Sequence, residues 1–247
     1  MSITTPAELD GMRRSGRVVA QALRVMQDAA APGMTTAELD GIGAALLRGE
    51  GARSAPQVTY NFPGFNLISV NDQIVHGVPG SRRLAPGDVV KLDVTAELGG
   101  YIADAAVTLI LPPAAPVARR LKRCAEDAFE CGRQAARPGR PVRDIGRAVE
   151  REVTRQGFSV VRSLTGHGVG RRIHEPPQVP NFDDPGARTL LTEGMVLTIE
   201  PLITERPANV VEEDDGWTLR AHNHALAAHF EHTILVRSDG GEILTRF

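Results

Sequence analysis

Hydrophobic positions along the chain fall into two patterns. Amphipathic stretches with recognisable start signals predict helices. Thr5 is an N-cap, Pro6 the first helical position and Glu8 the reciprocal partner of a capping box, so a helix runs to about Ala30 and ends before Ala31, Pro32 and Gly33. The signal repeats at Thr35 and Glu38 for a second helix towards Glu50 and Gly51. Residues 116–136 are amphipathic over their whole length, and Pro141 opens a further helix through Arg155. Short apolar runs predict strands at 57–60 (QVTY), 66–70 (NLISV), 86–98, 99–111, 158–164, 194–201 and 225–236. Helices and antiparallel strands therefore mix in one chain, an α+β fold. No low-complexity run divides it, so residues 1–247 are expected to form a single domain. A helix pair followed by strands occurs in each half, which hints at an internal duplication.

The composition narrows the function classes. With 247 residues and 42% hydrophobic content the chain can bury a sizeable core, and a net charge of −2 gives no footprint for nucleic acid or a membrane surface. The first residues lack an apolar targeting segment, and no apolar run reaches a membrane span. Cys124 and Cys131 lie seven apart in a helical pattern, roughly 10 Å between Cα atoms, too far for a disulfide. Both are expected as free thiols on one buried helix face, in keeping with a reducing cytoplasm. No Gly-x-Ser-x-Gly elbow, P-loop, Cys-x-x-Cys pair or His-Glu-x-x-His helix occurs. The prolines of 176–180 (PPQVP) read as a rigid surface loop, and 118–123 (ARRLKR) as a solvated helix face.

The chemistry begins with two aspartates set in apolar strands, Asp93 between Leu92 and Val94 and Asp104 after Tyr101, Ile102 and Ala103. Carboxylates are seldom buried without a partner. If Gly99 and Gly100 make a two-residue hairpin loop, Asp93 faces Ala106, and Asp104 becomes its diagonal neighbour about 7–8 Å away on the same face; a one-residue shift of the loop would place the two aspartates directly opposite. Like charges so close need a proton or a cation between them. Glu200 ends the apolar run before Pro201, and Glu231 sits inside the last apolar strand. His167 lies among Gly166, Gly168 and Gly170, and His174 follows seven residues later. Four carboxylates and an imidazole balance two divalent cations in charge and suit hard oxygen-rich coordination.

These residues lie in motifs that resemble one family in order: SVNDQIVHGVPG around His76, KLDVTAELGGYIAD, TGHGVGRRIHEPPQVPNF, EGMVLTIEP and FEHTILV. The chain resembles the type I methionine aminopeptidases, whose fold is the pita-bread fold of two pseudo-symmetric halves, over residues 5 to 245. The resemblance implies a metal-dependent aminopeptidase that removes the initiator methionine from nascent proteins ahead of a small second residue, through a hydroxide bridging two divalent metals. It implies metal ligands at Asp93, Asp104, His167, Glu200 and Glu231, with Asp104 and Glu231 bridging, Asp93 chelating one ion, and His167 with Glu200 completing the other. It assigns catalytic contacts to His76, His174 and Glu200, and a methionine side-chain pocket to Phe62 and Trp217, with Ile173 beside them. The metals would be drawn from Co, Mn, Fe, Zn or Ni. The expected partners are nascent polypeptide N-termini, with the ribosome as a further candidate, and the expected state is a cytoplasmic monomer. Two positions depart from the family pattern: Leu67 stands where many members carry Cys or Thr, and Ala105-Ala106 replaces polar residues.

Two other readings compete. One is an X-Pro aminopeptidase or dipeptidase of the same fold, disfavoured because only about 70 residues precede the first site motif where such relatives carry a large extra domain. The other is a pita-bread domain that has lost catalysis and serves as a binding module, disfavoured because all five ligand positions are filled.

Overall fold

The structure, a computed structural model, describes residues 1–246. A nine-stranded antiparallel sheet forms its centre. Seven strands run in the order Arg53–Ser54, Val89–Leu98, Tyr101–Ile110, Glu231–Arg237, Val196–Ile199, Thr165–Gly168 and Glu175–Pro180. Leu67–Val70 pairs with Val89–Leu98, and Gly240–Ile243 pairs with Glu231–Arg237. Two three-stranded sheets flank it.

Both expected capping boxes are present, at Thr5 with Glu8 and at Thr35 with Glu38, and they start the helices Pro6–Ala29 and Thr36–Gly49. Each cap is worth about 1 kcal/mol. Pro6–Ala29 packs on Val89–Leu98 and Tyr101–Ile110 with Thr36–Gly49 against it, and the helices Pro116–Ala135 and Arg143–Arg155 share a core with the strands of the other half of the sheet. The two halves thus repeat a helix pair on strands, as the sequence pattern hinted. The fit is close: a Cβ on Gly11 would lie 2.3 Å from the Tyr101 ring.

Strand alternation decides what each face carries. Val90, Leu92, Val94 and Ala96, with Ala103, Ala105 and Val107, join the first helix pair in one core. Leu197, Ile199, Ile234 and Val236 join the second pair in another. The intervening residues Asp93, Thr95, Asp104 and Ala106 therefore lie on the face away from the helices. The predicted Gly99-Gly100 hairpin forms in the predicted register, with Asp93 opposite Ala106 and Asp104 opposite Thr95.

Five local expectations need correction. Residues 57–60 belong to a short helix, Ala55–Tyr60, because Ser54 accepts from the Gln57 N–H and Pro56 fits the first turn. The proline run is not a loop but most of the edge strand Glu175–Pro180, where missing amide donors cost little. Residues 225–236 are not one strand: the run breaks at Phe230 into Ala227–His229, which joins a small sheet, and Glu231–Arg237, which joins the central one. Only Ser159–Val160 of residues 158–164 is extended. Both cysteines are free, but Cys131 is only partly buried.

Candidate active site

Five separated segments bring their acidic and imidazole side chains together on the helix-free face of the sheet. Asp93, Asp104, His167, Glu200 and Glu231 are all buried, and all line one cavity of about 580 Å³. Asp93 and Glu231 occupy one cross-strand row, each paired with Ala106. His167 Nε2 lies 3.5 Å from a Glu200 carboxylate oxygen and 4.0 Å from one of Asp104.

Threonines hold these groups in place. Thr95 donates to Asp104 Oδ1 at 2.8 Å. The Thr198 hydroxyl accepts from the His167 N–H at 3.0 Å and donates to Glu200 Oε1 at 2.8 Å, so one side chain orients two site residues. Thr233 accepts from the Asp104 N–H and donates back to its carbonyl. The His167 Nδ1–H donates to the Gly168 carbonyl at 2.9 Å, which leaves the Nε2 lone pair facing the carboxylates.

Burial drives the electrostatics. It pushes Asp104 up to about 7 and Glu200 up to about 8, the latter helped by the negative charge of Asp104. Asp93 and Glu231 are raised well above the carboxylate range by burial and by the neighbouring carboxylates. Burial pushes His167 down to about 4, with its neighbour His174 adding to the effect, so the imidazole is neutral at neutral pH. Asp93 Oδ1 and Glu231 Oε1 are buried without a hydrogen-bond partner. Orphaned oxygens, crowded like charges and a neutral imidazole are what a cation would satisfy. Two overlapping sets have one donor atom per residue within 4.8 Å of one another: Asp104, His167 and Glu231, and Asp93, His229 and Glu231. The donor chemistry therefore fits divalent metal ions.

The remaining predicted residues line the same cavity. His76 does so in the left-handed region at φ +61°, a conformation that costs energy for a residue with a Cβ and is typical of functional sites. The next residue has no room for a side chain, since a Cβ on Gly77 would lie 2.2 Å from the Ile68 carbonyl oxygen. His174 stands with its ring centroid 4.3 Å from that of His167. Phe62 and Trp217 meet edge to face at 5.2 Å and, with Ile173 and Leu67, give the cavity an apolar wall.

Sequence reasoning missed two residues here. Tyr60 places its hydroxyl 2.5 Å from His174 Nδ1, but it fell within a segment expected to be a strand. His229 is 1% exposed, with Nε2 3.3 Å from Glu231 Oε2. Its signal was available: His229 and Glu231 are two apart in an extended segment and so share a face.

Comparison with known proteins agrees with this geometry. Residues 10–238 match the profile of metallopeptidase family M24. Methionine aminopeptidase 2 of Bacillus subtilis is 42% identical over the whole of both chains. A methionine aminopeptidase of Clostridium perfringens is 40% identical over 96% of each. Among solved structures, the methionine aminopeptidase of Thermotoga maritima superposes with a TM-score of 0.96 at 35% identity, covering all of both chains. The prolidase of Pyrococcus furiosus shares the fold, with a TM-score of 0.79 at 22% identity, and this chain spans 65% of its length. The pita-bread architecture expected from the motifs is thus the observed one.

Proposed function

The chain belongs to metallopeptidase family M24, and from that premise we propose that it is a methionyl aminopeptidase, removing methionine from the N-termini of polypeptides. The observation that carries this reading is the convergence of Asp93, Asp104, His167, Glu200 and Glu231 on the wall of a single cavity whose other side is apolar. Asp104 and Glu231, with Asp93 on one side and His167 and Glu200 on the other, would hold divalent ions. Carboxylate and imidazole donors accept Mn, Fe, Co, Zn or Ni. Bound divalent cations supply a water acidic enough to act as a nucleophile near neutral pH.

The protein's own groups do the rest. Phe62, Trp217, Leu67 and Ile173 receive the methionine side chain and exclude water from it. His76 orients the peptide backbone at the scissile bond. Tyr60 O–H donates to His174 Nδ1, which leaves the proton on Nε2 to donate to the carbonyl oxygen as negative charge develops there. Glu200 Oε1 is held by Thr198, so Oε2 takes a proton and delivers it to the departing amide nitrogen. On this reading residues 1–247 act as one catalytic domain, a cytoplasmic monomer working on nascent chains, with the ribosome as a candidate partner. No helix among the described residues is long and apolar enough to cross a membrane.

The X-Pro reading is less favoured, because full-length relatives named methionine aminopeptidase stand at 40% identity or above. Assaying a Met-Ala-Ser peptide against an Ala-Pro peptide separates the two. Methionine release with no cleavage of Ala-Pro is the expected result, and the converse would overturn the proposal. Loss of both activities in metal-loaded protein would point to a binding module.

A further inference from the structure

We propose that His229 is an additional ligand of the metal centre, binding the ion held by Asp93 and Glu231. This rests on the reading of the site as a dinuclear metal centre. Asp93, His229 and Glu231 each offer a donor atom within 4.8 Å of the others. Two ligands on one ion, each at about 2.0–2.2 Å, lie at most about 4.4 Å apart. Closing the set thus needs only a few tenths of an ångström.

The ring approaches the Glu231 carboxylate, 3.3 Å from Nε2, but without hydrogen-bond geometry. Neither nitrogen of His229 is hydrogen-bonded, and neither are Asp93 Oδ1 and Glu231 Oε1 beside it. Leaving an imidazole buried with both nitrogens unmet is costly, and a cation at the Glu231 end removes part of that cost. The residue is also firmly placed. Thr108 accepts from the His229 N–H at 3.0 Å and donates to its carbonyl at 2.8 Å, at the point where the strand breaks before Phe230. His229 does not line the substrate cavity, so it can reach an ion without meeting substrate.

The consequence is a more symmetric centre. Without His229, the Asp93 ion would have carboxylate donors only while its neighbour has His167. With it, each ion has one imidazole, which moves the preference of the Asp93 site from Mg and Mn towards Fe, Co, Ni and Zn.

The test is proton NMR of the full-length protein loaded with Co(II), in which each ligated imidazole gives one strongly shifted ring N–H resonance. The wild-type protein is expected to give two such resonances at full loading, from His167 and His229. His229→Gln, which keeps a polar side chain beside Glu231, is expected to give one and to bind its second Co(II) at least tenfold more weakly. A single shifted resonance in the wild-type protein would overturn the ligand assignment while leaving the metal centre intact. No shifted resonance under any loading would overturn the metal centre itself, and His229 with it. The wild-type count decides the question even if the variant fails to fold.

Discussion

Asp93 and Glu231 lie in one cross-strand row with only the methyl group of Ala106 between them. Ala106 belongs to the strand that also carries Asp104, two residues away on the same face. The small side chain leaves the space into which the carboxylates point. Ala106→Leu should fill that space, cutting divalent-ion affinity by at least about tenfold as read by calorimetry. Its cost to the fold should stay near the ~1–3 kcal/mol of an overpacked core site. Unchanged affinity would place the ions elsewhere.

Asp104→Asn removes a charge proposed to hold the ions while preserving shape and the Thr95 hydrogen bond. It should lower kcat for methionine release by about a thousandfold or more, roughly 4 kcal/mol of lost transition-state stabilisation. An active variant would remove Asp104 from the proposed role.

The pH dependence follows from the raised carboxyls. Asp104 at about 7 and Glu200 at about 8 bind their protons more tightly in the folded chain than the same groups do when unfolded. Their contribution to stability is fully present below the unfolded values near 4 and is lost as pH rises through 7 to 8. The Tm of metal-free protein should therefore fall between pH 5 and pH 9. Cation binding should relieve the fall and release protons near pH 7, seen as a binding heat that changes with the ionisation enthalpy of the buffer. A buffer-independent heat would mean the carboxyls are already ionised without metal.

In the proposed mechanism Tyr60 acts through His174 rather than on substrate. Tyr60→Phe removes the contact to Nδ1 and keeps the ring. It should lower kcat about tenfold with little change in KM, in line with the loss of one positioned donor. Trp217→Ala should instead raise KM for methionyl peptides, since it opens the apolar wall.

Much of this site was legible in the sequence because strand alternation is strict. Once Gly99 and Gly100 were read as the hairpin loop, the register of Asp93, Ala106 and Asp104 followed, and the capping boxes marked both early helices. What was not legible turned on tertiary context. Valine, threonine and tyrosine at 58–60 favour a strand, but the Ser54 cap and Pro56 make a helix, and that hid Tyr60. The alternation around Phe230 looked continuous, so the break that separates His229 from the central sheet was not visible, although its shared face with Glu231 was. Ala106 was legible as the partner of Asp93 and as a departure from the family pattern, but not as the partner of Glu231, and its position in the Asp93–Glu231 row supplies a reason for its size.

The most direct measurement is a titration of metal-free protein with Co(II) or Mn(II) while free methionine is followed from a Met-Ala-Ser peptide. Release should be absent at the start, rise with added ion, and saturate by two ions per chain. Full methionine release from the stripped protein in excess chelator would contradict the role given to the converging carboxylates.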